Sequence, residues 1–365
     1  MADARRYAPL ANPFRMRGGG ELHGARLAYE TWGELNVERD NALIIFTGLS
    51  PGAHAASSAM DDSEGWWESM VGPGKAIDTN RFFVICVNSL GSCHGSTGPA
   101  SDNLDTGQPY RLAFPELSIE DIANSAIAVL DAEAVDKPVT VVGPSMGGLT
   151  ALAFAINHPQ RTGNLLLISC ATHPTPLTTA IRSLQREMIR TDRDWAGGNY
   201  EEGHGPVVGM RLARKLGMIS YRSAREWEER FHRDQIPKDQ RDDDPFGVRF
   251  QVESYLEAHA KKFVGSFDAN CYLYLSRAMD MFDVADYGGT DQAGLGHIKT
   301  PRALVIGVET DILFPLYQQV ALAEGLREQG VPVVFHALPS IQGHDAFLVD
   351  IDRFGPAIHD FLRAQ

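Results

Sequence analysis

The hydrophobic pattern divides the chain into three parts. Residues 42–46, 82–87, 139–142, 164–169 and 303–307 are short, nearly continuous apolar runs rich in Val, Ile, Leu and Phe. Runs of that length and composition predict strands buried on both faces, as in a parallel sheet covered by helices. Residues 27–32 alternate well enough for another strand, and 333–338 form the last strand candidate. Gly18, Gly19 and Gly20 mark an edge hairpin within a lead-in over residues 1–25. Ser118, followed three residues later by Asp121, opens a helix with a capping-box pattern, and Ile119, Ile122, Ala126, Val129 and Leu130 give it an apolar stripe. Further helices are expected over 149–156 and 354–363.

From about residue 175 to 295 the pattern changes to longer, charge-rich helical periodicities over 177–193, 207–216, 224–231, 248–267 and 270–282, with a solvated link at 240–245. Strand patterning resumes at residue 303. The expected architecture is therefore α/β, a mostly parallel doubly wound sheet formed by residues 1–174 and 296–365, with a helical cap inserted over 175–295.

Composition narrows the function classes. The 365 residues are 44% apolar and 22% charged, enough for a sizeable core. The formal net charge of −14 argues against a general nucleic-acid or anionic-membrane surface. Anionic substrates stay open, because a few arginines in a cleft outweigh a distant surface field. Residues 1–22 lack a continuous apolar core, which predicts neither a signal peptide nor a membrane span and points to the cytoplasm. Cys86, Cys93, Cys170 and Cys271 form no CxxC pair and read as small buried hydrophobes. The histidines and carboxylates lack metal-ligand spacing such as HExxH, so no metal is expected.

The chemistry concentrates where the run at 139–142 meets Gly143-Pro144-Ser145-Met146-Gly147, a G-x-S-x-G pattern followed by a helix. A serine on a sharp strand-to-helix turn is lifted clear of the sheet, and flanking glycines permit the tight backbone. Ser145 is the expected nucleophile; the bland alternative is a glycine-rich loop capping an ordinary helix. Such a serine needs a histidine to take its proton and a carboxylate to orient that histidine, in the chain order serine, acid, histidine. Asp311 follows the strand at 303–307, and it is preferred to Glu309 because the apolar residues 312–315 would bury it. His344, in a glycine-containing loop after the last strand, completes the set, whereas His336 lies within that strand and His359 in the terminal helix.

Thr47 to His54, leaving the strand at 42–46, would supply a second oxyanion-hole N–H from Leu49 beside that of Met146. The glycine- and serine-rich residues 88–99 lack the Gly-Lys-Ser/Thr of a phosphate loop and are expected to form a rigid wall of the active site. The cap offers Arg182, Arg186, Arg190, Arg211, Arg214 and Arg222, and Arg186 with Gln185 is placed facing the cleft; the alternative is that these are solvated helix charges.

Several segments together resemble the homoserine O-acetyltransferase family of α/β-hydrolase-fold acyltransferases: Gly65-Trp66-Trp67, residues 72–79, residues 95–100, the segment around Ser145, residues 267–275 and Gly343-His344-Asp345-Ala346-Phe347. The resemblance spans nearly the whole chain. It implies acyl transfer from coenzyme A to the hydroxyl of L-serine or L-homoserine, by a ping-pong route through acyl-Ser145. It further implies Asp345 as binder of the substrate amino group, Arg214 as holder of its carboxylate, and a homodimer, with no bound cofactor beyond the acyl-CoA co-substrate. Pro144 where glycine is usual, the loop at 47–54 and residues 181–187 resemble the branch of serine O-succinyltransferases, in cysteine rather than methionine biosynthesis. Succinyl adds a carboxylate for Arg186, and a shorter acceptor needs a tighter pocket near Ser50, Pro51, Gly52 and Ala53. Homoserine O-succinyl- or O-acetyltransferase is the nearest alternative, a plain esterase the next, and a non-enzymatic binding protein the last.

Overall fold

The computed structural model describes residues 3–201 and 203–364, so the ends of the expected core at Met1, Ala2 and Gln365, and Glu202 of the expected cap, lie outside the described residues. Its centre is an eight-stranded sheet. In chain order the strands are β1 (Arg6–Pro9), β2 (Arg26–Trp32), β3 (Ala42–Phe46), β4 (Phe83–Val87), β5 (Val139–Pro144), β6 (Thr162–Ile168), β7 (Ala303–Val308) and β8 (Val333–Leu338). They lie side by side as β1-β2-β4-β3-β5-β6-β7-β8. The six from β4 to β8 pair in parallel, while β2 joins β1 and β4 antiparallel. The hairpin at the three glycines forms outside this sheet, Phe14 pairing with Leu22 and Arg15 with Glu21.

The continuous apolar runs have a direct structural reading. Along β3, Ala42, Ile44 and Phe46 enter one hydrophobic cluster, whereas Leu43 and Ile45 enter the other, on the opposite face. The same division separates Leu165 and Leu167 from Leu166 and Ile168 in β6, and Ala303 and Val305 from Leu304 and Ile306 in β7. Side chains alternate across a strand, so a strand covered on both faces must be apolar at every position. At the sheet edge, β8 is only partly buried, and polar His336 is tolerated there.

Helix α1 (Ile119–Ser125) begins with the expected capping box, Ser118 and Asp121 each capping the other's backbone. Helix α2 (Met146–Asn157) follows β5 directly and is buried almost throughout. Between β6 and β7 no strand joins the sheet among the described residues. The chain there forms α3 (Pro176–Arg190), α4 (Val207–Tyr221), α5 (Ala224–Phe231), α6 (Gln251–Phe263) and α7 (Ala269–Met281). Helix α3 packs against α4 and α7, and α4 against α6. Helices α8 (Leu316–Glu328) and α9 (Ile351–Arg363) flank the last strand. Although β6 and β7 are separated by this helical excursion, they are hydrogen-bonded neighbours, Leu165 facing Ala303 and Ile168 facing Ile306.

Candidate active site

The turn at Ser145 is built by its neighbours. Ser145 holds φ 57° and ψ −123°, a left-side conformation rare for a non-glycine residue and typical of strained functional positions. Gly143 and Gly147 permit it: a Cβ at Gly143 would collide with the Gly147 carbonyl oxygen, and one at Gly147 with the carbonyl oxygen of Phe46. The Ser145 N–H donates to the Ile168 carbonyl at 2.9 Å, tying the elbow to β6.

Three strand ends then converge. The Ser145 hydroxyl lies 2.8 Å from His344 Nε2, and His344 Nδ1 lies 2.8 Å from Asp311 Oδ2. Asp311 Oδ1 accepts the N–H groups of Leu313 at 2.8 Å and Phe314 at 3.0 Å, which leaves Oδ2 for the imidazole. Asp311 and His344 are both buried. The loop carrying His344 is fixed by Thr310, whose hydroxyl donates to the Ser340 carbonyl at 2.7 Å and accepts the Gly343 N–H at 3.1 Å. Gly343 needs φ +67°, and a Cβ there would press on the backbone of Tyr221 and Arg222. Burial disfavours the charged imidazole of His344, but the carboxylates of Asp311 and Asp345 outweigh it and raise its pKa above the ordinary value.

A cavity of about 150 Å³ opens on Ser145 and His344. Leu49, Ser50, Pro51, Gln185, Arg214 and Asp345 line it. Met146 is buried as the first residue of α2, where its N–H has no acceptor within the helix. The N–H of Leu49 likewise has no partner among the described residues. Arg214 stacks over the Phe263 ring at 4.5 Å, and its Nε is buried without a hydrogen-bond partner. Arg211, one turn earlier, instead pairs with Glu257 at 2.8 Å. Asp345 meets Arg222 Nε at 3.2 Å; burial raises its pKa, and Arg222, His344 and Arg214 counter that in part.

Four expectations need correction. Arg186 does not face the cavity: its Nη1 donates to Ser276 Oγ at 2.7 Å and its Nη2 pairs with Asp280 Oδ2 at 2.6 Å, so α7 consumes it. Arg182, one turn earlier, lines the cavity instead. Its Nε holds Asp280 Oδ1 at 2.5 Å, while its Nη2 is buried and unpartnered. Gly52 and Ala53 also stand away from the cavity. Gly52 packs under His94 and its carbonyl accepts from Trp66 Nε1 at 3.1 Å, and Ala53 is buried. The loop over 88–99 does not line the cavity. Asn88 braces it internally through Ser92 and Ser96, and it packs toward the start of α7.

Residues to which sequence reasoning gave no role include Tyr221, half-buried, and Tyr272, buried, two phenols in the cavity wall whose pKa values burial raises, and Trp66. Trp66 and Tyr272 fall in segments that carry the family resemblance, which gave them no role of their own, and Tyr221 was signalled only by its aromatic character, which is shared with many core residues. His173, Asp283 and Asp291 also come within 4.8 Å of one another outside the cavity, but Asp291 Oδ2 already accepts from Thr172 Oγ1 at 2.6 Å.

With this geometry in view, the comparisons are specific. The family described as alpha/beta hydrolase fold matches residues 41–350. A serine O-succinyltransferase from Litchfieldella anticariensis is 57% identical over 99% of each chain, and one from Stenotrophomonas maltophilia is 59% identical over 98% of this chain and 97% of its own. Among solved structures, homoserine O-acetyltransferase from Bacillus anthracis aligns with a TM-score of 0.89 at 27% identity over 99% of this chain and 98% of its own. Esterase E22 aligns with a TM-score of 0.87 at 29% identity over 98% of this chain and 99% of its own. This chain belongs to the α/β-hydrolase-fold family of enzymes, in the acyltransferase branch that contains the serine O-succinyltransferases.

Proposed function

We propose that this enzyme transfers the succinyl group of succinyl-CoA to the hydroxyl of L-serine, giving O-succinyl-L-serine and coenzyme A for cysteine synthesis. The identity of 57–59% to serine O-succinyltransferases along nearly the whole chain is the observation that carries this reading.

In the first half-reaction His344 Nε2 takes the proton of Ser145 Oγ as it attacks the thioester carbonyl. The N–H groups of Met146 and Leu49 stabilise the oxyanion. The C–S bond breaks, the imidazolium returns its proton to the departing thiolate, and an ester remains on Ser145. In the second, His344 deprotonates the serine hydroxyl, which attacks the ester and restores Ser145. Asp311 fixes the imidazole tautomer. Arg214 holds the α-carboxylate of the acceptor and Asp345, braced by Arg222, its amino group.

For the acyl group, two guanidiniums share the single carboxylate of Asp280, which leaves one positive charge unmatched beside the cavity. The unpartnered Nη2 of Arg182 is the donor that meets the succinyl carboxylate, with Arg186 and Asp280 orienting it from behind. Ser50 and Pro51 bound the acceptor side, where one methylene separates serine from homoserine. Such a difference is worth about 1–3 kcal/mol, so homoserine is a slower acceptor rather than an excluded one.

Residues 175–295 act as the cap that keeps water from the acyl-enzyme. Exposed Leu177 and Leu184 on α3, with Val208, Leu212 and Ile219 on α4, support a homodimer formed through that cap. No helix among the described residues is long and apolar enough to cross a membrane, which accords with a cytoplasmic enzyme.

The test is kcat/KM for acetyl- and succinyl-CoA against serine and homoserine. The succinyl-CoA and serine pair is expected to be highest. Donor consumption independent of any amino acid would favour the hydrolysis suggested by the likeness to esterase E22 and overturn the proposal.

A further inference from the structure

Outside the catalytic cavity, the loop after β4 and the first turn of α7 bring two cysteines together. Cys93 is half-buried, and its sulfur accepts the Asp268 N–H at 3.3 Å. Asp268 caps α7, its Oδ1 accepting the N–H of Cys271 at 2.8 Å. Cys271 is fully buried and neighbours Cys93 through Asp268, which holds both the Cys93 sulfur and the Cys271 N–H. The seam is packed: the His94 ring lies edge-on to Phe267 with centroids 5.4 Å apart. Cys86, in β4, and Cys170, after β6, are buried in the two clusters of the sheet core.

The two thiols are unequal. The hydrogen bond from Cys271, with that from Asp268, lowers the Cys93 pKa despite burial, whereas burial raises that of Cys271 well above the ordinary range. A half-buried sulfur that accepts a helix N-terminal N–H, with a second, buried thiol beside it, is the arrangement in which cysteine oxidation is selective and reversible.

We infer that Cys93 and Cys271 form a peroxide-reactive dithiol whose oxidation joins the loop after β4 to helix α7. The Cys93 thiolate attacks one oxygen of hydrogen peroxide; the O–O bond breaks, the leaving hydroxide takes a proton as water, and Cys93 becomes a sulfenic acid. The Cys271 thiol then attacks the Cys93 sulfur, a second water leaves, and a disulfide forms. Two thiols lose two electrons and the peroxide gains them. Helix α7 carries Tyr272 and Met279 in the cavity wall and Asp280 behind Arg182, so the bond anchors the element that supports the acyl pocket. Ser145 takes no part, and the inference stands apart from the acyl-transfer reading.

The test is titration of the purified full chain with hydrogen peroxide, followed by alkylation and mass spectrometry of a non-reducing digest. Loss of two of the four thiols, a peptide pair linked through Cys93 and Cys271, and recovery on dithiothreitol are expected. Cys271→Ser is expected to stop at a Cys93 sulfenic acid that dimedone traps, and Cys93→Ser to lose the fast reaction. Four thiols persisting at a peroxide excess that consumes glutathione would overturn the inference. So would a linkage through Cys86 or Cys170, or Cys93→Ser reacting like the unaltered protein.

Discussion

Arg182→Met isolates the group assigned to the acyl carboxylate. Methionine keeps most of the aliphatic length and removes the guanidinium, while Arg186 still holds Asp280 at 2.6 Å, so no buried carboxylate is orphaned. The Arg182 side chain is 8% exposed, so solvent screens its charge little. A hydrogen bond to a charged group contributes about 1.5–3 kcal/mol, and truncating one partner of a buried charge pair costs about 2–5 kcal/mol. A loss of about 2–4 kcal/mol corresponds to roughly 30- to 1,000-fold in kcat/KM for succinyl-CoA. Acetyl-CoA has no distal carboxylate and should change by no more than about threefold. Steady-state kinetics with both donors at saturating serine give the ratio, and thermal melting reports whether the fold survives. Equal losses for the two donors, or a donor-selective loss in Arg186→Met with Arg182→Met unaffected, would refute the assignment.

Other outcomes follow from the same geometry. Ser145→Ala should abolish acyl transfer while leaving circular dichroism unchanged, and retained transfer would remove the serine from the mechanism. Asp311→Asn should lower kcat by about 10³- to 10⁴-fold through loss of the imidazole tautomer, with KM little altered. The raised His344 pKa means the imidazole stays protonated to higher pH than an ordinary histidine. Activity should therefore fall as pH drops through an apparent pKa above 6.5, a limb that a kcat/KM profile lying wholly below that value would contradict. Gly147→Ala should cost about 1–3 kcal/mol, because its Cβ meets the Phe46 carbonyl oxygen; an unchanged melting temperature would show that the elbow can relax.

What the sequence disclosed followed the range of the interactions responsible. Strands such as β3 and β7 announce themselves because burial on two faces demands apolar residues at consecutive positions. The hydrogen-bonded set of Ser145, Asp311 and His344 was legible because each residue sits at a strand end and the fold orders those ends. The arginines were not separable in that way. Arg182 and Arg186 are four residues apart on one helical face, and which of them reaches the cavity depends on Asp280 and Ser276, on a helix far along the chain. The same applies to the loop after β3, where Ser50 and Pro51 enter the cavity but Gly52 and Ala53 turn beneath His94 and into the core.

The direct pairing of β6 with β7 has a consequence for how such an enzyme can change. Residues 169–302 leave and re-enter the sheet at neighbouring strands, and the Leu165 N–H reaches the Arg302 carbonyl at 3.1 Å across the junction. Because the pair is parallel, the helical excursion leaves at the carboxyl end of β6 and returns at the amino end of β7, so its two ends stand roughly one strand length apart, about 10–15 Å, on adjacent strands. A unit mounted in that way can be shortened, rebuilt or exchanged without moving the strand ends that hold Ser145, Asp311 and His344. Because closing a longer loop costs only slowly more entropy, the sheet tolerates such remodelling. The reactive serine thus stands on the sheet, while Arg182, Gln185 and Arg214 reach its cavity from the excursion.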